Sequence, residues 1–279
     1  MSKFTQNPYS QLEERVGSRS LYVEMREKKG SYMPHFHYHS SFELFYIKSG
    51  TATFIIGNKS YTVYEGSLLI IPPYVPHKSI YAESQEAYRI ELQIKSSFLT
   101  PNMSGILDNL SKHVCYTLSL KYQTYVIKLL TKMKVEFNSK REYSEDLCLA
   151  FVNELLITVY RNAVKYEPSS SNELLPEKIM KYITENYYRN ITISELSDQF
   201  HICESTIFKS FKKNTGLKVT DYINFTRIMN AERLMRETDL TLTEISYRCG
   251  FNNFNYFCSV FKRYKNTTPG KFMHQKRVQ

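Results

Sequence analysis

Nowhere in the 279 residues do eighteen apolar residues follow one another, so the sequence offers no stretch that could span a bilayer. The opening MSKFTQNPYSQLEERVG is polar and charged and lacks the apolar run of a signal peptide. Both absences point to the cytoplasm. There is no CxxC pair either: Cys115, Cys148, Cys203, Cys249 and Cys258 are odd in number and scattered. Such a set builds neither a disulfide framework nor a zinc ribbon and reads as reduced thiols. No low-complexity tract is present, and 42% hydrophobic with 14% aromatic residues excludes a disordered or fibrous chain. The length favours two domains over one.

Acidic residues are short of balance, leaving a net charge of +10 that is unevenly placed. From Leu175 onward there are 17 basic and 10 acidic residues, against 20 and 17 before it. A basic half is the electrostatic footprint of a phosphate-bearing partner, although an acidic membrane or protein would be served equally.

Between Leu21 and Ile94 the segments FELFYI, TATFII, SYTVY, LLII and YRIELQI are short, β-branched or aromatic, and bounded by turn residues, as strands are. Gly57-Asn58 marks a hairpin. In YRIELQI, Tyr88, Ile90, Leu92 and Ile94 alternate with Arg89, Glu91 and Gln93, which predicts a strand with one buried face. Closing the sheet into a small barrel would protect its edges. After residue 97 the period changes, and 119–137 and 145–165 carry apolar residues three and four apart, as amphipathic helices do. Glu167-Pro168-Ser169-Ser170-Ser171-Asn172 then interrupts the pattern like a solvated linker.

Beyond that linker the chain repeats itself. Thr192-Ile-Ser-Glu195 corresponds to Thr241-Leu-Thr-Glu244, both Thr-x-x-Glu capping boxes that open short helices. The match resumes fifty residues apart as Ile207-Phe-Lys-Ser-Phe211-Lys-Lys and Phe257-Cys-Ser-Val-Phe261-Lys-Arg. Each unit is a capped helix, a tight turn and a second helix with basic residues near its end, the outline of a helix-turn-helix. Thr220 to Glu237, with Tyr222, Ile223, Ile228, Ala231, Leu234 and Met235 at helical spacing, forms a rod between them. Ile207, Phe211, Phe257 and Phe261 are assigned to the core.

The wording TISELSDQFHICESTIFKSFKKNTG, DYINFTRIMNAERLM and LTEISYRCGFNNFNYFCSVFKRYKNTTPGKF resembles the AraC/XylS family of bacterial transcription regulators over about 176–274. Three positions depart from its pattern: His201 and Asn266 replace the usual glycines, and Cys203 the usual serine cap. His and Asn tolerate left-handed backbone, whereas cysteine caps poorly. The resemblance implies helix-turn-helix units at 193–214 and 242–265, with recognition helices at about 204–214 and 254–265. Ser205, Thr206, Phe208 and Lys209 of the first, and Asn253, Phe254, Asn255, Cys258 and Ser259 of the second, would face DNA. Asn255 can read adenine, Lys209 can reach guanine acceptors, and Phe208 or Phe254 can meet a thymine methyl. Lys212, Lys213, Lys262, Arg263 and Lys265 would meet phosphate.

A second constellation precedes the linker: His37, His39 and Glu43, which share parity on a strand, and His77 on a neighbouring one. Three imidazoles and a carboxylate suit a divalent transition metal, or equally a set of polar residues that hold a ligand or each other. Over about 30–80 this arrangement resembles the two motifs of the cupin barrel, although Tyr74 and Tyr81 replace a usual glycine and asparagine. Tyr22, Tyr32, Tyr46 and Tyr61 are candidates to line the same pocket, since phenols offer a flat apolar face and a hydroxyl to polyhydroxylated ligands.

The expected protein is α+β in two domains: an arm over 1–20, a cupin-like sensing barrel over 21–100, helices over 101–166 for dimerisation and relay, a linker over 167–174, and an all-α double helix-turn-helix domain over 175–279. It would be a ligand-responsive regulator of a sugar or other small-metabolite pathway, a homodimer on double-stranded promoter DNA, with RNA polymerase as a further partner and no required cofactor. The other readings are a metal-dependent cupin enzyme with an accessory nucleic-acid domain, and a constitutive DNA-binding protein whose barrel only dimerises.

Overall fold

The computed structural model describes residues 19–29, 36–80, 86–139, 141–166 and 174–277. Tyr32, most of the expected arm and all of the expected linker but Leu174 lie outside the described residues. Six strands come first: β1 (Leu21–Lys29), β2 (Phe42–Ile56), β3 (Lys59–Tyr64), β4 (Ser67–Ile71), β5 (His77–Ile80) and β6 (Glu86–Ile94). The two strands expected at FELFYI and TATFII are one, β2, whose pairing with β6 shifts register between Ile47 and Ser49, next to Gly50 at a φ of 83°. The first half of β2 pairs antiparallel with β4 and β6, and the second half with β3 and β5, so one strand serves two layers. Short β7 (Cys115–Thr117) and β8 (Val164–Lys165) extend the first layer, giving the order β1-β6-β2-β4-β7-β8. With β3 and β5 pairing off β2 as the second layer, the strands make the antiparallel, cupin-like arrangement that the sequence pattern suggested.

Phe45, Ile47, Phe54, Ile56, Tyr61 and Val63 fill the space between the layers. On the other face of the first layer, Phe42, Leu44, Tyr46, Ile90 and Leu92 pack against α1 (Pro101–Ser111), α2 (Leu120–Ser139) and α3 (Ser144–Asn162) through Leu107, Val126, Leu130, Val152 and Leu155. Arg89, Glu91 and Gln93, which the alternation in β6 would leave in water, are buried as well. The second layer covers them, and they pair internally: the Arg89 guanidinium donates to Glu91 at 3.2 Å, and Gln93 Nε2 donates to Glu43 at 3.1 Å.

The rest is helical: α4 (Leu175–Asn186), α5 (Ile193–Phe200), α6 (Glu204–Thr215), α7 (Val219–Glu237), α8 (Leu242–Arg248), α9 (Phe254–Lys265) and α10 (Pro269–Arg277). The α7 rod is buried almost all round, including Asn224, Arg227 and Glu232. One hydrophobic core joins it to α4, α6 and α9, and Phe36 and Tyr38, which precede β2, and Ile55 of β2 belong to that same core.

Candidate functional site

The two helical units differ at their first caps. Thr241 and Glu244 make the reciprocal box: Thr241 accepts from the Glu244 amide at 3.3 Å, and the Glu244 carboxylate accepts from the Thr241 amide at 2.8 Å. Thr192 caps α5 in the same way, but the Glu195 carboxylate turns from its own helix to accept from Tyr182 at 2.6 Å and Arg189 at 3.2 Å. The expected box is thus only half formed there, because Tyr182 of α4 and Arg189 just beyond it hold the carboxylate instead. His201 and Asn266 are left-handed, with φ of 53° and 55°, as their side chains allow.

Cys203, at the start of α6, makes no side-chain bond to the backbone as a cap. Its thiol sits 3.4 Å from the Ser205 hydroxyl and 3.0 Å from that of Thr206, and these hydroxyls lower its pKa to about 7. Asn253 caps α9 properly, accepting from the Tyr256 amide at 2.9 Å.

Helices α6 and α9 bury one face each, through Ile207 and Phe211 and through Phe257, Val260 and Phe261. Their outer faces carry Ser205, Thr206, Phe208, Lys209, Lys212 and Lys213 on one, and Asn253, Asn255, Ser259, Lys262 and Arg263 on the other, all exposed. Phe254 and Cys258 are half-buried. Phe208, 44% exposed, is a large apolar side chain standing in water among polar ones. Lys265 points elsewhere: its ammonium lies 2.6 Å from Glu232, inside the protein.

The N-terminal constellation converges. One ligand atom from each of His37, His39, Glu43 and His77 lies within 4.8 Å of the others, and all four residues are buried. A single Glu43 oxygen is 3.0 Å from His39 Nε2 and 2.8 Å from His77 Nε2. The opposite nitrogens, Nδ1, face the carbonyls of Ser41 at 2.8 Å and Val75 at 2.9 Å. A carbonyl only accepts, so each Nδ1 carries a proton. Nε2 then faces the carboxylate either as an imidazolium or as the lone-pair donor to a cation, which is the arrangement of metal-ligating histidines. Burial opposes a charge on Glu43, yet His39 and His77 outweigh it and hold the carboxyl well below the usual range.

Of the tyrosines expected here, Tyr61 lies in the core between the layers. Tyr46 lies on the opposite face, under the helices. The Tyr22 ring stands against Phe137 of α2, with its hydroxyl donating to Glu24. Local pattern gave no signal for Gln93, which completes the Glu43 contacts, because its partner is fifty residues away.

A helix-turn-helix domain profile matches residues 196–275, and a cupin domain profile matches 23–91, together more than half the chain. The chain pairs an AraC-type helix-turn-helix domain with a cupin domain. AraC-family activators align with it along most of their length. The HTH-type transcriptional activator RhaS of Enterobacter sp. (strain 638) is 23% identical over 239 residues, covering 84% of this chain and 85% of its own. RhaR of Salmonella schwarzengrund (strain CVM19633) is 22% identical over 249 residues, covering 85% and 86%. Among solved structures, ToxT from Vibrio cholerae superposes with a TM-score of 0.36 at 18% identity, over 92% of this chain and 98% of that one.

Proposed function

We propose that this chain is a ligand-responsive, sequence-specific transcription regulator whose α6 and α9 enter successive major-groove segments of promoter DNA. The observation that carries this is the pair of repeat-related helices, each burying an apolar face on the common α7 rod and turning a polar, basic face to solvent. Lys209 and Asn255 read bases, while Lys212, Lys213, Lys262 and Arg263 neutralise phosphates. Residues 175–279 are the DNA-binding domain and 21–100 the sensing domain, with the boundary in 167–174.

The cluster of His37, His39, Glu43 and His77 is the effector pocket, in contact with Gln93 and alongside Arg89 and Glu91. Its donor set also fits a divalent transition metal, which would supply open coordination positions to hydroxyl or carboxylate groups of a small effector such as a sugar. The protein's own part is to orient the two imidazoles through Ser41 and Val75 and to exclude water. We place the chain among regulators rather than cupin enzymes because the relatives that align with most of its length are named transcriptional activators. A homodimer would form through α2 and α3, where Tyr125 is exposed beside Ile127 and Phe151. RhaS and RhaR are named transcriptional activators, and the similarity supports an activator here; its partner would be RNA polymerase and its place the cytoplasm, and no helix among the described residues is long and apolar enough to cross a membrane.

The reading is tested by selecting DNA from a random pool with the full chain and titrating the winner against salt. Affinity should fall with a log–log slope of about −0.9 per phosphate contacted, and a thermal-shift screen of sugars, small acids and divalent ions should find a compound that changes it. Equal affinity for selected and random DNA would overturn it.

A further inference from the structure

The pocket histidines lie on a ribbon with two faces. His37 and His77 pair across it, each amide donating to the other's carbonyl at 3.0 and 2.9 Å. Side chains alternate in extended backbone, so His37, His39 and His77 point to the pocket while their neighbours Phe36, Tyr38 and Lys78 point away from it, into the helical half. The Phe36 ring stacks edge-on to Tyr222 of α7 at 5.6 Å, and the Tyr38 ring does the same to Phe225 at 5.3 Å.

The polar ends of this outer face reach two related places. Lys78 Nζ donates to the carbonyls of Asn214 at 3.2 Å and Thr215 at 3.0 Å, in the last turn of α6. A cation there satisfies carbonyls that the helix cannot, and meets the negative end of its dipole. The Tyr38 hydroxyl donates to Glu232 at 3.0 Å, and the same carboxylate holds Lys265, the last residue of α9. The Lys265 ammonium also lies 5.1 Å from the centre of the Tyr38 ring. At the repeat offset of fifty that pairs Phe211 with Phe261, Thr215 is the counterpart of Lys265. The ribbon therefore touches both recognition helices at one and the same position of the repeat.

We propose that this ribbon is a strut between the two recognition helices, set from its inner face: a change in the His37, His39, Glu43 and His77 cluster alters how α6 and α9 are held relative to each other. The connecting rod α7 joins the units along one side, and the strut adds a separate link between their recognition helices. Lys78 is a buried cation whose oxygen partners are carbonyls, an arrangement favourable only while both stay within hydrogen-bond reach. A small shift of the ribbon thus has a large effect on its grip. For its DNA arm the inference rests on the proposed function; for the strut itself it does not.

The test is a double-mutant cycle in the full chain, with Glu43→Gln altering the pocket and Tyr38→Phe/Lys78→Met cutting the strut. Hydrogen exchange at 212–217 and 262–267 reads the strut, and affinity for the selected DNA reads its consequence. Glu43→Gln is expected to change exchange at both helix ends and DNA affinity by about fivefold or more. In the Tyr38→Phe/Lys78→Met background the same change should have less than about a twofold effect, the limit of ordinary additivity. Multiplicative effects, or altered exchange at only one helix end, would overturn the strut. Should Glu43→Gln not fold, Tyr38→Phe/Lys78→Met alone decides: exchange must quicken at both ends, and unchanged exchange refutes the proposal. The expected exchange pattern in a protein with no preference for any DNA would keep the strut and defeat the regulator reading instead.

Discussion

Gly250 lies against the carbonyl of Tyr187: a Cβ built on it would stand 2.5 Å from that oxygen. The two residues join the turn before α9 to the end of α4, so the contact fixes the second unit against α4. Its φ of 82° is also one that side chains avoid. Nearby, the Arg227 guanidinium of α7 donates to the Tyr187 carbonyl at 2.9 Å and to that of Arg189 at 2.7 Å, closing the same corner.

Gly250→Ala should therefore destabilise the protein by about 1–3 kcal/mol from the backbone alone, and by more once Tyr187 is displaced. Gly105→Ala is the contrast, since nothing lies within 4 Å of its absent Cβ in α1. It should raise stability by about 0.5–1 kcal/mol. Chemical denaturation of both variants checks the pair of signs.

On DNA, Lys209→Ala or Asn255→Ala should cost about 1–3 kcal/mol on a selected site and little on random sequence. Lys212→Ala should weaken both alike and lower the magnitude of the salt slope by about 1. Lys265→Ala, by contrast, should leave the slope unaltered, because its ammonium is engaged with Glu232. Anisotropy titrations at several salt concentrations separate the three behaviours.

Cys203 is exposed at the start of α6, with a pKa lowered to about 7 by the Ser205 and Thr206 hydroxyls. Cys115, Cys148 and Cys249 are buried, and burial pushes the Cys249 thiol up to about 12. Iodoacetamide at neutral pH should alkylate Cys203 first, at a rate that rises through about pH 7. Bound DNA should slow it. Mass spectrometry of the labelled peptides reads both effects.

Burial works against the charge of Glu232, but Lys265 and Arg236 outweigh it and leave its carboxyl below the ordinary value. A carboxyl lowered on folding stabilises the protein above its unfolded pKa, and that contribution is lost as pH falls through the folded one. Glu232→Gln should thus be about 1–3 kcal/mol less stable than the parent at pH 7. The gap should close on acidification below about pH 4. Melting curves across that range test the sign.

Much of this was legible in local sequence, because local chemistry decided it. The Thr241 and Glu244 box, the Gly57-Asn58 turn and the ends of α6 and α9 follow from capping and periodicity within a few residues. The face chosen by Tyr46 did not. In FELFYI both parities are largely apolar, so alternation cannot say which side meets the helices. Likewise Lys265 reads as one more basic residue at a helix end. Only the fold brings Glu232 and Tyr38 to it, from 33 residues before and from the other half of the chain. His37, His39, Glu43 and His77 were visible as donors of the right kind, whereas the carbonyls that orient His39 and His77 depend on loop geometry no pattern encodes.

Under the proposed function, one chain reads DNA with two helices at once. Methylation interference on a selected site measures this directly. Two clusters of major-groove contacts per chain are expected, on one face of the duplex and about 34 Å apart, the first weakened by Lys209→Ala and the second by Asn255→Ala. A single cluster, or two that respond alike to both substitutions, would contradict it.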